Sequence, residues 1–311
     1  MKLGKLAPKH DVRTLRFGRY SGALPPAPPN CDYSLKVPSW SMLGNDQYGD
    51  CTFAGAAHLS QCWADNAGRP FVPDDRAVVA EYLSFTGGED TGCVELDVLK
   101  RWRVDGIVGH KIGAFAALDH GEREHLMQAT YLFGGTYLGV AMPLSAQDQA
   151  IWDVPPQGPI GRGSPGSWGG HCVVVVAYNP TGPIIVTWGQ LVQMTWEFFD
   201  TYVDEAYAIL AQDFLSDANV APNGFDLAAL AADLELVGQM ESPPFDAPPV
   251  NPPAPNPVGP SGADVRAKVR TAFDAEIKSA QGHLYGRFLV GTMAHDAQLA
   301  DAAVAEAFGS Q

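Results

Sequence analysis

A polar, glycine-containing loop, Asn45-Asp-Gln-Tyr-Gly-Asp50, runs directly into Cys51 and an Ala-rich apolar stretch that ends at Trp63. Phe53, Ala56, Ala57, Ser60 and Ala64 share one side of that stretch, while Leu59 and Trp63 lie on others. The pattern predicts a central helix that is buried rather than a surface helix with one apolar stripe. Cys51 stands at its start. Unpaired N–H groups and a partial positive charge at a helix N-terminus favour thiolate over thiol. A lone cysteine is commonly just a small core residue, but one with loop amides immediately upstream reads as a nucleophile. Such a nucleophile needs a base from elsewhere in the chain.

Around this centre the chain divides into five parts. Residues 1–30 are a basic arm that closes on Leu24-Pro-Pro-Ala-Pro-Pro29, a stiff extended spacer. Residues 31–215 form the body. Helices are expected over 74–86, with Asp74 as cap, over about 94–104, and over 121–133. Ile107–Ile112, Thr136–Ala141, Val173–Val176 and Ile184–Thr187 read as strands, the last two joined by Asn179-Pro-Thr-Gly182 into an antiparallel hairpin. Residues 153–170, rich in Gly and Pro, are expected as a loop. Helices first and sheet second point to an α+β fold with two lobes. Residues 216–240 are expected to add a helical extension, with one helix over 225–240. Residues 241–262 are a Pro-rich linker that cannot build a core. Residues 263–311 are expected to hold two helices, an amphipathic one with Val265, Val269, Phe273 and Ile277 as its stripe and an Ala-rich one over roughly 294–308.

Charge narrows the partners. The whole chain of 311 residues carries a formal −15, which argues against general nucleic-acid binding. Residues 1–20 alone carry +5, through Lys2, Lys5, Lys9, Arg13, Arg16 and Arg19 against Asp11. A basic arm on an acidic body can dock on an acidic neighbour, a second copy included, or lie solvated. The five cysteines are odd in number and widely spaced, so neither a disulfide framework nor a CxxC metal pattern is expected. With no secretory leader and no apolar run long enough to span a bilayer, the expected setting is a reducing cytoplasm or a particle assembled there. No cofactor is implied.

Eight histidines are available as the base. His58 lies seven residues along the helix from Cys51, about 10 Å away by helix rise, and is out of reach. His120 and His125 fall in an acidic turn and are expected to be exposed, without further ligands for a metal. His10, His110, His283 and His295 lack supporting features. His171 follows Ser167-Trp-Gly-Gly170 and heads the four-valine run, where a rigid strand can hold an imidazole toward a cleft. Cysteine–histidine catalysis also needs oxyanion donors, for which the Cys51 N–H and the amide of Asn45 or Gln47 are available.

The order of these features resembles the papain-like cysteine peptidases over roughly residues 31–210. Cys31-Asp-Tyr-Ser-Leu-Lys36 resembles the family's Val-Asp-Trp-Arg opening, and Asn45–Trp63 its oxyanion, nucleophile and helix segment. Thr91-Gly-Cys93 through Gly106-Ile107 is similar to its Gly-Cys…Gly-Ile stretch, and Leu126–Ala141 to its helix and following strand. Gly170-His-Cys-Val-Val-Val-Val-Ala-Tyr178 and Thr187-Trp-Gly189 resemble its His-Ala-Val…Gly-Tyr and Asn-Ser-Trp-Gly signatures. Departures are visible. Asn45 stands where the family carries Gln, and Val186 where it carries the histidine-orienting Asn, leaving Thr187 or Gln190 to substitute. Tyr48 replaces a family cysteine, so Cys93 has no disulfide partner.

The resemblance implies a two-lobe hydrolase that cleaves peptide or amide bonds through Cys51, with His171 as base and acid. The alternative is a weakly active or inactive papain-fold module of a larger assembly, such as a phage virion, docking through residues 1–30 and 263–311. Residues 1–30 are open between such a docking arm and a pro-segment that blocks the cleft. A third expectation is action on amides other than peptides. The arm, acidic body and helical tail together resemble proteins of actinobacteria and their phages.

Overall fold

In the computed structural model, the described residues are 1–21, 24–119, 121–215 and 221–223. They belong to a compact unit spanning Met1–Ala228. The expected helix over 225–240, the linker 241–262, the segment 263–311, His120, His283 and His295 lie outside the described residues.

The cysteine helix is the hub. Within the arm, strand β1 (Leu15–Arg16) and the short helix α1 (Gly18–Ser21) come first, followed by strand β2 (Cys31–Asp32). Helix α2 then spans Cys51–Asn66, and every one of its residues is buried. Burial on all faces is tolerable because several of its polar side chains find partners, although Thr52 Oγ1, Gln61 Oε1 and Asp65 Oδ2 have none. Ser60 bonds the Ala56 carbonyl, Gln61 that of Ser39, and Asn66 those of Tyr33 and Cys62; an unmet group would cost about 1–3 kcal/mol. Helices α3 (Asp75–Phe85) and α4 (Glu95–Val104) pack beside it. Asp74 caps α3 by accepting the Ala77 N–H, as its position suggested. Trp102 of α4 stacks on Trp63 of α2 with ring centres 5.6 Å apart.

The remaining elements are strand β3 (Ala114–Ala117), helix α5 (Arg123–Phe133), and strands β4 (Thr136–Met142), β5 (Ile151–Trp152), β6 (Gly169–Asn179), β7 (Gly182–Thr187) and β8 (Gln190–Met194). Helix α6 (Trp196–Tyr202) and strand β9 (Val203–Leu210) complete the sheet side. One sheet runs β1-β3-β9-β4-β6-β7-β8-β5, with β2 added to β6. Its pairs are antiparallel except β1 with β3 and β5 with β8. Helix α2 lies on β6, and Gly55 lets the two backbones approach. A Cβ there would come 3.3 Å from Cys172 Sγ, Tyr137 Cε2 and Val174 Cγ1.

Two expectations need correction. Ile107–Ile112 is a turn with one bridge between Ile107 and His110, because Gly106, Val108 and Gly109 all adopt positive φ; the strand is Ala114–Ala117. The loop over 153–170 is shorter than expected, since β6 already begins at Gly169. The β6–β7 hairpin forms as read, with Val174 opposite Val186. No helix among the described residues is long and apolar enough to cross a membrane.

Candidate active site

Helix α2 fixes Cys51 as its first residue, and β6 fixes His171 as its third. The two elements meet. The N–H of Cys172, the residue after His171, donates to Cys51 Sγ at 3.4 Å. The His171 ring is held on two sides. Its Nε2 is 2.7 Å from Thr187 Oγ1 at the end of β7, and its face stacks on Trp188 at 4.4 Å and 12°. Trp188 adopts φ 46°, a costly backbone conformation for a non-glycine residue. The other nitrogen, Nδ1, is buried and has no hydrogen-bond partner.

Of the two substitutes considered for the missing orienting Asn, Thr187 touches the histidine. Gln190 is exposed and lies opposite Thr187 in the β7–β8 register. Val186, at the family's Asn position, is a core side chain. Asn45 is buried, and its amide donates to the Tyr48 carbonyl at 3.2 Å and to Asp50 Oδ1 at 3.0 Å. Both amide hydrogens are therefore engaged within the loop. Gln47 is exposed. Cys51, as the first helical residue, has an N–H with no carbonyl one turn back in its own helix.

Sequence reasoning left open whether the arm docks on a neighbour or covers the cleft as a pro-segment. Residues 2–6 cross the candidate site of their own body. The Gly4 N–H reaches the Cys51 sulfur. The Gly4 carbonyl accepts from Cys93 N–H at 2.8 Å, and Leu6 N–H donates to the Cys93 carbonyl at 2.8 Å, a parallel bridge centred on Lys5. On the sheet side, Lys5 N–H donates to the Gly170 carbonyl at 3.1 Å. Lys2 donates its N–H to the Asn45 carbonyl, and its own carbonyl accepts from the Trp188 indole. Gly4 is the tight point: a Cβ on it would fall 1.8 Å from the Gly49 carbonyl oxygen. The arm's charges also find the acidic body, with Lys2 on Asp90 and Lys9 on Asp97. A glycine-spaced basic segment ahead of the nucleophile was the available signal, but no local pattern says where it goes.

Seated under the arm, the pair is uncharged. Burial pushes the Cys51 thiol up to about 12, opposed by the N–H groups of Cys172 and Gly4 and reinforced by Asp50 and Glu95. Burial pushes His171 down to about 3. Asp50, beside the sulfur, is raised to about 7, mainly by burial and despite the bond from Asn45.

The other histidines serve elsewhere. His58 meets the Ser41 carbonyl, and His110 pairs with Asp213. His125 is half-buried against Phe17 and bonds Ser21, so the expectation of an exposed side chain is corrected; the arm covers it. The five cysteines are free thiols.

Neither a protein-family model nor a curated protein matches the chain. Among solved structures it is similar to xylellain, a cysteine protease from Xylella fastidiosa, with a TM-score of 0.53 and 14% identity. That alignment covers 67% of this chain and 95% of the other. Digestive procathepsin L 3 of Tenebrio molitor larval midgut aligns over 67% of this chain and 75% of its own, at 11% identity and a TM-score of 0.45. The fold is that of the papain-like cysteine proteases.

Proposed function

We propose that this chain is a papain-fold cysteine hydrolase that cleaves peptide or amide bonds through Cys51 and is latent while residues 2–6 lie across the site. The observation that supports the reading is a helix-N-terminal sulfur that receives the N–H of the residue following His171, whose ring is held at one nitrogen by Thr187 and unpartnered at the other. Catalysis through Nδ1 needs that atom unprotonated, so Nε2 carries the hydrogen and donates it to Thr187 Oγ1. Nδ1 then accepts the Cys51 proton, and the thiolate attacks the substrate carbonyl. The imidazolium returns the proton to the leaving amine as the C–N bond breaks. Water, deprotonated by Nδ1, hydrolyses the acyl-cysteine and restores the thiol. The Cys51 N–H is one oxyanion donor. Asn45 becomes a second only by releasing Tyr48 or Asp50, and Gln47 only by turning in from solvent.

Burial is the largest cause of both shifted pKa values, and at Cys51 the arm lies against the sulfur through Gly4. Displacing the arm admits water, lowers the thiol pKa and raises that of the imidazole, bringing the two toward an ion pair. Such a free-thiol enzyme suits a reducing compartment or a particle assembled in one.

The same burial favours a second reading, a papain-fold module without turnover whose arm never leaves. One experiment separates them. Gly4→Leu has no room beside Gly49, so it dislodges the arm in the full-length chain. Iodoacetamide labelling followed by peptide mass mapping is expected to modify Cys51 at least about 100-fold faster than in the parent chain, with the reaction persisting well below pH 8. Labelling of Cys51 no faster than Cys62 or Cys93 in that variant would sink the hydrolase reading and leave the module.

A further inference from the structure

Lys5 of the arm is a buried lysine, its side chain 1% exposed. Its ammonium lies 2.9 Å from Asp204 Oδ1 and 3.1 Å from Glu205 Oε1, and it also donates to the Leu6 carbonyl. Glu95, at the start of α4, is fully buried nearby. Neither of its oxygens has a partner among protein N–H and O–H groups, and the Cys172 thiol lies against it. Burial opposes the charge on Lys5, but Glu95, Glu205 and Asp204 outweigh it and hold the lysine pKa above its ordinary value.

The body makes room for this side chain. Gly139 of β4 lies opposite Glu205 of β9, and a Cβ on it would sit 2.0 Å from Lys5 Cε and 2.6 Å from Glu205 Cγ. The walls therefore come from three distant segments of the body, and the lysine from the arm. Three carboxylates around one ammonium exceed what a structural ion pair needs, and burying charge without full pairing is costly. Lys5 is also the neighbour of Gly4, whose N–H reaches the nucleophilic sulfur. Once the arm leaves, a pocket of carboxyl groups opens where the neighbour of Gly4 had lain; burial raises Glu95 and Glu205, and an ammonium in the pocket lowers both.

We propose that Gly139, Glu95, Asp204 and Glu205 form a subsite that selects a lysine or arginine side chain of the substrate, with Lys5 standing in for it in the latent state. The assignment rests on the hydrolase reading above and names its substrate class: peptides or amides with a basic residue adjacent to the one lying over Cys51.

The test measures binding without turnover. In full-length Gly4→Leu/Lys5→Ala/Cys51→Ala, the affinity of acetyl-Leu-Gly-Lys-Leu-amide is compared by calorimetry with that of the norleucine analogue. Charge-assisted pairing in a desolvated pocket is expected to favour the lysine peptide by about tenfold or more. Glu95→Gln with Glu205→Gln should abolish the preference, and Gly139→Ala should weaken the lysine peptide while leaving all charges in place. Equal affinities, tighter norleucine binding, or no binding of either peptide would overturn the subsite. Iodoacetamide labelling of Cys51 in the Gly4→Leu chain is read separately. A reactive Cys51 without lysine preference removes only the subsite, and an inert Cys51 with lysine preference removes only the hydrolase.

Discussion

Cys51 and Cys62 belong to one helix, and both thiols are pushed up mainly by burial, yet only the Cys62 sulfur faces carbonyl oxygens. Cys51 receives N–H groups, from Cys172 at 3.4 Å and from Gly4. Cys62 faces the carbonyls of Tyr33 and Gly134 at 3.8 and 3.9 Å, toward which a thiol donates, and receives one N–H, from the Asn66 amide at 3.7 Å. Donors stabilise a thiolate; carbonyls stabilise the thiol. The source of burial differs as well. Cys62 is enclosed by the body, whereas part of the cover over Cys51 is the arm, held by backbone bonds that residues 1–6 can exchange for water. On the proposed reading, the same amino acid, eleven residues along one helix, is a structural thiol in one place and a masked nucleophile in the other.

The largest expected effect that sharpens this contrast is His171→Ala. In the arm-dislodged Gly4→Leu background, hydrolysis of a peptide amide is expected to fall by about 10²–10⁴-fold, the range for losing a general acid–base. Labelling of Cys51 should then follow the titration of an unassisted thiol, near pH 8.5, while Cys62 labelling stays unchanged. If His171→Ala left the pH profile of Cys51 untouched, the two cysteines would differ in access alone.

How far the sequence reaches can be judged from the same residues. Helix α2, the Asp74 cap, and the β6–β7 hairpin were legible because each rests on local periodicity or a short turn. Cys51 and His171 were legible as candidates because both head rigid elements, and the N–H that reaches the sulfur belongs to the residue after His171. The arm was not, since its bonds to Cys93 and Gly170 join residues about 90 and 165 positions apart. The Lys5 pocket draws on residues 95, 139, 204 and 205, which no spacing rule gathers. The choice of Thr187 over Gln190 needed the third dimension, as did the commitment of the Asn45 amide to Tyr48 and Asp50.

A smaller effect is expected at the orienting hydroxyl. Thr187→Val keeps the shape of a buried side chain but leaves Nε2 without its acceptor, freeing the ring to take the wrong tautomer. Turnover in the arm-dislodged chain is expected to fall about tenfold, in line with one hydrogen bond to a buried group. The apparent pKa governing Cys51 labelling should shift with it, and Thr187→Ser should restore both. A fall in thermal stability with an unmoved pH profile would make Thr187 a packing residue and return His171 to the same footing as His58.

The smallest expected effect concerns the acid between the loop and the nucleophile. Asp50 is buried, its Oδ1 accepts from Asn45, and its Oδ2 has no partner. Burial raises its folded pKa to about 7, against 3.8 for the ordinary group. The sign follows from proton counting. Between pH 4 and 7 the folded protein holds a proton that the unfolded chain has released, so stability falls as pH rises through that window and is lowest above it. Asn cannot ionise, and its side-chain oxygen can keep the bond from Asn45. Asp50→Asn is therefore expected to raise the melting temperature by a few degrees at pH 8, on the order of 1–2 kcal/mol, with little change at pH 4. Removing the charge also removes one of the influences that raise the Cys51 thiol, so Cys51 labelling in the Gly4→Leu background should extend to lower pH while Cys62 does not respond. A melting curve that shifts equally at both pH values would mean that Asp50 is already ionised in the folded protein, and that the loop ahead of Cys51 is wetter than its burial implies.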